Sequence, residues 1–214
     1  MSRTAASIIV RARLSFPQLF QMRAFGDAVP CYSSLLVIED PDDKQLVATT
    51  LKNVAVEAYG PEKAKAILRK VKENQIKDAE YIKAKGLPEG SLVFNAKNKK
   101  ARPGVVARTA NPKTGKAEQI TEEMGTTAGG PHEMYGGVEC NVALTIYSYS
   151  HPTGGDGVAF GLDGLQRWDE GERFGGGRTS PEDLFTFDTP ADVDLSDVLA
   201  DEAEEDDDPI ADIL

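Results

Sequence analysis

The sequence predicts a mainly β domain with added helices: a small β-barrel followed by a disordered acidic tail. Strand patterns occur early and late in the chain, separated by turn signals, with a helical stretch inserted between them. Charge is divided just as unevenly. From Thr179 to Leu214 there is no Lys or Arg, yet 14 Asp and Glu fall there; the 24 Lys and Arg lie upstream with the other 21 acids. The body is therefore near +3 and the tail near −14, which together give the net −11. The expected division is residues 1–188 as one domain and residues 189–214 as the tail, whose composition cannot bury a core.

Each element follows from local pattern. Ile8 to Leu14 alternates, with Ile8, Val10, Ala12 and Leu14 on one face and Ile9, Arg11 and Arg13 on the other. Ser15 to Phe20 reads as a hydrophobic turn. Tyr32 to Glu39 is a second strand, closed by a turn at Asp40-Pro41-Asp42-Asp43. Thr50 to Tyr59 has helical spacing, and Gly60-Pro61 breaks it and opens a second helix reaching about Lys85. Ser91 to Asn95 is a short strand. Ala96 to Lys116 reads as a loop, and Thr121 to Pro131 as a Gly-rich one. Tyr135 to Ser150 carries the strongest alternation, with Val142, Leu144 and Ile146 facing one way and Tyr147 and Tyr149 the other. Gly154 to Leu165 and Gly171 to Gly177 read as Gly-rich turns around Gln166-Arg167-Trp168.

Composition narrows the function classes. Two cysteines, Cys31 and Cys140, are too few for a disulfide framework and fit a reducing, cytoplasmic setting. The apolar run Ile8-Ile9-Val10 stops at Arg11, too early for a signal-peptide core, and no stretch reaches the ~20 apolar residues of a membrane span. Catalytic motifs do not complete. His132-Glu133-Met134-Tyr135-Gly136 has Gly where a zinc-protease helix needs its second His. Thr114-Gly115-Lys116 ends like a phosphate-binding loop, but Ala110 stands where the first Gly belongs and Ala117 where a hydroxyl is needed. No catalytic residue, metal site or cofactor is expected.

Binding single-stranded nucleic acid requires cations for phosphates and rings for bases. Arg11 and Arg13 lie on the polar face of the first strand. Lys97, Lys99, Lys100, Arg102, Arg108, Lys113 and Lys116 form an acid-free basic stretch. Tyr147 and Tyr149 share the non-aliphatic face of a strand, and Arg167-Trp168 joins a cation to the only Trp. The candidate DNA-binding set is Arg11, Arg13, Lys97, Lys99, Lys100, Arg102, Arg108, Tyr147, Tyr149, Arg167 and Trp168. A polyanionic tail on such a domain imitates nucleic acid and can compete for the same cations. Its end, Asp206, Asp207, Asp208, Ile210, Asp212, Ile213 and Leu214, adds apolar groups that a partner protein could grip.

Specific motifs then carry a resemblance. Tyr135-Gly136-Gly137-Val138-Glu139-Cys140-Asn141-Val142, Tyr147-Ser148-Tyr149, Gly157 to Leu162, Leu165-Gln166-Arg167 and Asp169-Glu170-Gly171-Glu172-Arg173-Phe174-Gly175-Gly176 resemble a family of tailed-phage single-stranded DNA-binding proteins. Ala12 to Phe20 and Tyr32-Ser33 are similar to it as well. The resemblance implies an OB fold with added helices, sequence-nonspecific binding of single-stranded DNA in phage replication or recombination, and an acidic tail that recruits partner proteins. The tail ends in Ile213-Leu214, where many such proteins end in Phe. The alternative is an acidic interaction protein whose tail binds a basic partner or inhibits a DNA-binding enzyme. Expected partners are single-stranded DNA and replication or recombination proteins, with no membrane; the sequence leaves open whether the chain forms a homodimer.

Overall fold

Strand β1 (Ala5–Arg23) is the spine on which the other strands are hung. In the computed structural model, which describes residues 4–24, 26, 29–152 and 154–174, its first half pairs antiparallel with β6 (Glu139–His151) and its second half with β2 (Cys31–Ile38). β1 runs nine residues past the Leu14 at which its alternation ends. The cause is a bulge between the pairs Ser15–Leu35 and Gln18–Ser33, where Phe16 takes φ +48° and stands 59% exposed. A bulge breaks period-two alternation, so the segment reads as a turn although it is still a strand.

β2 leads into α1 (Pro41–Tyr59), which starts nine residues before the point at which helical spacing begins in the sequence. Asp40-Pro41-Asp42-Asp43 is a helix start. The Asp40 side chain accepts hydrogen bonds from the N–H groups of Asp42 and Asp43, Pro41 occupies the first turn, and two acids face the positive end of the helix dipole. α2 (Pro61–Asn74) and α3 (Ala79–Ala84) replace the single helix expected from Pro61 to Lys85. The break at residues 75–78 enters the sheet: Ile76 bridges Phe94, and the Lys77 N–H donates to the Val93 carbonyl at 2.8 Å.

β3 (Leu92–Asn98) pairs with β2, and β7 (Gly155–Asp169) with β6. The strand order is β3-β2-β1-β6-β7, and a parallel contact between Lys97 and Gly161 joins β3 to β7, closing a five-stranded OB-like barrel. β4 (Gly104–Ala110) continues along the same edge of β7 that β3 has just left, and β5 (Ala117–Gln119) pairs with β4. Residues expected as a loop thus form a hairpin. α4 (Glu122–Thr126) follows, capped by Thr121.

Val10, Leu14, Leu36, Phe94, Val142, Leu144, Ile146, Phe160 and Leu162 fill the barrel; Val47, Val54 and Ala55 of α1 and Ile67 and Val71 of α2 extend the same core. A second cluster lies on the outside of β2 and β3, where Leu35, Val37 and Val93 meet Ile82, Leu87 and Phe174. Among the described residues no helix is long and apolar enough to cross a membrane. The acidic tail, with its boundary at 189 and the residues Asp206, Asp207, Asp208, Ile210, Asp212, Ile213 and Leu214, lies outside the described residues, as does Gly175-Gly176-Gly177.

The segment after β7 is clasped to the loop before β6. Gly137 and Gly171 touch backbone to backbone: a Cβ on Gly137 would overlap the Glu172 carbonyl oxygen, and one on Gly171 would overlap the Gly137 carbonyl oxygen. Phe174 N–H donates to the Gly136 carbonyl at 3.0 Å, and the Tyr135 hydroxyl bonds the Gly171 carbonyl at 2.9 Å. Arg173 reaches the Glu133 carboxylate at 2.5 Å and lies over the Tyr135 ring. Burial alone would raise the Glu133 carboxyl. The hydrogen bond and charge of Arg173, the Gly129 N–H and the charge of Arg167 outweigh it and hold the group below its ordinary 4.5.

Two expectations follow. Gly137 also sits at φ +116°, so Gly137→Ala should cost about 2–3 kcal/mol, a Tm drop of roughly 5–10 °C, while Gly136→Ala, with open space and no positive φ, stays within about 0.5 kcal/mol. Thermal denaturation of both variants decides this. A depressed carboxylate stabilises the fold above its unfolded-state pKa and loses that contribution as pH falls through the folded value. The stability gap between wild type and Glu133→Gln should therefore narrow as pH is lowered from about 5 to about 3 in denaturant titrations.

Candidate nucleic-acid interface

The barrel's seam opens into a groove of about 1350 Å³. β3 and β7 share one ladder position, and side-chain amides span the rest of the gap. Asn98 Nδ2 donates to the Leu162 carbonyl at 3.0 Å, and Gln75 Nε2 to the Val158 carbonyl at 2.7 Å. The groove runs over the outer faces of β6 and β7. Tyr147 and Tyr149 line it from β6, Ala159, Gly161 and Asp163 from β7, and Asn95 and Lys97 from β3. Asn95 Oδ1 is buried and finds no hydrogen-bond partner among the described residues.

Glycines on β7 set the pose of the tyrosines. Tyr149 pairs across the ladder with Gly157 and Tyr147 with Ala159. A Cβ added to Gly157 would come within 2.5 Å of Tyr149 Cζ, and one on Gly161 within 3.4 Å of Tyr147 Cε1. Each ring thus leans on bare backbone of the next strand. Tyr149 remains 40% exposed. The Tyr59 hydroxyl, at the end of α1, lies 2.7 Å from the Tyr149 carbonyl and 2.9 Å from that of Gly157, tying the helix to this hairpin.

Cations line the opposite wall. After β3 the chain bulges out over residues 99–103 before β4 resumes the same β7 edge. Asn98 shapes this bulge: its Oδ1 accepts from the N–H groups of Lys100 and Ala101, both at 3.0 Å. Lys97, Lys99 and Lys100 therefore border the groove together, joined by Lys77 from the break after α2. Asp163, the residue bulged between the pairs Ala143–Gly164 and Leu144–Leu162, is the acid on this floor, and Thr145 Oγ1 holds its carboxylate at 2.5 Å.

The other sequence candidates divide. Arg11 and Arg108 gather around Trp168, their guanidinium carbons 4.4 and 4.0 Å from its ring centroid. Arg13 is occupied by the protein itself, with its Nε on the Gly137 carbonyl at 3.2 Å, its Nη2 on the Glu172 carbonyl, Glu39 at 3.5 Å and its guanidinium over Phe174. Arg167 bonds the Glu133 carbonyl and Glu170, and Arg102 lies over Phe20. Lys77, Tyr59, Gln75 and Asn95 were not singled out from sequence; for Lys77 the only signal was the basic character of its helical stretch.

A family profile described as "Enterobacter phage Enc34, ssDNA-binding protein" matches residues 6–196. The chain belongs to the Enc34 phage single-stranded DNA-binding family. Solved structures agree on the fold. The single-stranded DNA-binding protein from bacteriophage Enc34 in complex with ssDNA is 19% identical, at a TM-score of 0.57 over 80% of this chain and 90% of that one. Its C-terminal truncation is also 19% identical, with TM-score 0.53 over 80% and 88%. The same Enc34 protein in a further structure is 20% identical, with TM-score 0.50 over 86% and 90%. No curated protein sequence matches the chain. In OB barrels generally, the face of strands two and three is a common oligonucleotide surface. In this chain α3 and Phe174 cover part of that face, and the groove lies at the seam instead.

Asn98→Ala removes the bond to Leu162 and both turn bonds to the loop. It should lower stability by about 1–2 kcal/mol and weaken oligonucleotide binding further than the loss of a neutral side chain explains. Denaturation and binding titrations on the same preparation test both effects.

Proposed function

We propose that this chain binds single-stranded DNA without strong sequence preference and coats it during phage DNA replication or recombination, in the host cell cytoplasm. One observation carries the reading: two tyrosine rings and four lysines, Lys77, Lys97, Lys99 and Lys100, border a single groove on the outside of the barrel. Rings stack bases of any sequence, each stacked base contributing on the order of 1–3 kcal/mol, and lysines neutralise phosphates. Membership of the Enc34 family, and a relative in complex with ssDNA, support it. The function is binding and requires no catalytic residue, metal or cofactor.

In this reading residues 1–188 form the binding domain and residues 189–214 act as tail. With 14 acids and no cation after Arg178, the tail competes for the lysine-bordered groove at a high effective concentration. DNA displaces it, and the released Asp206 to Leu214 segment then offers charge and the apolar Ile210, Ile213 and Leu214 to replication or recombination proteins.

Fluorescence anisotropy with labelled oligo-dT tests both parts. The full chain is compared with one ending at Thr189 across a salt series and against duplex competitor. Affinity should fall with salt at a log–log slope of about −0.7 per phosphate neutralised, and the shortened chain should bind several-fold tighter. If neither form binds at low salt, the groove reading fails and the tail becomes the active part, as in an acidic protein that blocks a basic partner.

A further inference from the structure

Trp168 is the residue whose role changes most between sequence and structure. As a lone indole next to an arginine it reads as a base-stacking platform. Its surroundings contradict that use. Arg11 reaches it from β1, on one side of β7 across β6; Arg108 reaches it from β4, on the other side. Their guanidinium carbons lie 4.4 and 4.0 Å from the ring centroid. Both guanidiniums lie against the one ring, arriving from strands on either side of β7. A base stacking on this ring would compete with cations already held there by cation–π contacts.

We propose, building on the single-strand reading above, that Trp168 is a strut rather than a stacking ring. It holds Arg11 and Arg108 against its ring as a paired phosphate-binding site. Bases stack only in the seam groove, on Tyr147 and Tyr149. The arginines are suited to the task. Arg11 is exposed, and among the described residues the polar partners of Arg108 are Asp169, at 4.0 Å with both side chains more than half exposed, and the Trp168 carbonyl at 3.5 Å. A pair that exposed is weak, and an incoming phosphate can replace Asp169. Between the two sites the outer face of β6 and β7 carries Ala143, Gly161 and Gly164, over which a strand could pass from stacking end to phosphate end, with Asp163, held by Thr145, the acid beside that path. From Asn141 to Tyr149 that path is about 26 Å at the rise of a β-strand.

The test uses the unmodified full chain, since Trp168 is its only tryptophan. Trp emission and strand anisotropy are followed while adding oligo-dT, or a sugar–phosphate strand of equal length without bases, at low salt. If Trp168 is a strut, the abasic strand binds more weakly than oligo-dT but at saturation shifts the emission to the same extent. An abasic strand that fails to bind where oligo-dT binds, or that binds and leaves the emission unmoved while oligo-dT changes it, overturns the strut. No binding of oligo-dT removes the single-strand reading itself. Variants supply a second measurement. Arg11→Ala and Arg108→Ala should each reduce the salt slope by about 0.7. Trp168→Ala should weaken both strands by the same factor; weakening oligo-dT alone would restore the ring as a stacking platform.

Discussion

The closure of the barrel between β3 and β7 is the constraint from which the rest follows. A fully laddered seam would bond every backbone group and leave a smooth outer wall. Here the two strands meet at Lys97 and Gly161 alone, and the gap is bridged by Asn98, by Gln75, and by the backbone of Ile76 and Lys77 against Phe94 and Val93. Unpaired backbone in a barrel wall is costly, so those amides are required structurally. They also hold the wall open and polar. The groove is therefore a by-product of how the barrel closes, and the lysines border it because the chain that leaves the seam after Asn98 is the basic loop.

The tyrosines obey the same logic. A strand of ordinary side chains at β7 would lift the rings of Tyr147 and Tyr149 away from the sheet or crowd them against neighbours. Gly157 and Gly161 remove that obstacle, and each ring rests on bare backbone. The cost is a strand with low intrinsic β preference, sustained by its neighbours β6, β3 and β4. Rings fixed on one side by backbone lose little freedom when a base covers the other, which is what a sequence-tolerant stacking surface needs.

This explains what was legible in the sequence. β6, whose alternation serves one core, could be read directly, as could β2, an apolar run buried on both faces, and the basic character of residues 97–116. β7 could not, because glycine carries no pattern; its residues looked like turns. The extension of β1 was hidden by the Phe16 bulge, and the start of α1 by Asp40-Pro41-Asp42-Asp43, where capping and turn chemistry use the same residues. The single long helix expected after Pro61 is broken at residues 75–78, the point where the chain plugs the seam. The resemblance carried by Tyr135-Gly136-Gly137 and Glu170-Gly171 coincides with the clasp, where Gly137 and Gly171 meet backbone to backbone.

The arginines mark the limit of sequence reasoning most clearly. Arg11 and Arg13 sit two residues apart on one face of β1 and are indistinguishable by type, pattern and neighbours in the sequence. In the fold Arg13 is 15% exposed, with all three of its nitrogens engaged by two carbonyls and a carboxylate and its guanidinium over Phe174, whereas Arg11 stands exposed over Trp168. Arg102 and Arg108 do not divide in this way: both are exposed, and each lies over a ring, Phe20 or Trp168, with one bond to a carbonyl at 3.5 Å. A guanidinium whose donors are already taken by the protein has none to offer a phosphate, while one held by a ring face keeps its donors free. The basic character of a surface is therefore a poor measure of its affinity for a polyanion. What counts is how many of its cations are held in place by contacts that leave their hydrogen-bond donors unused.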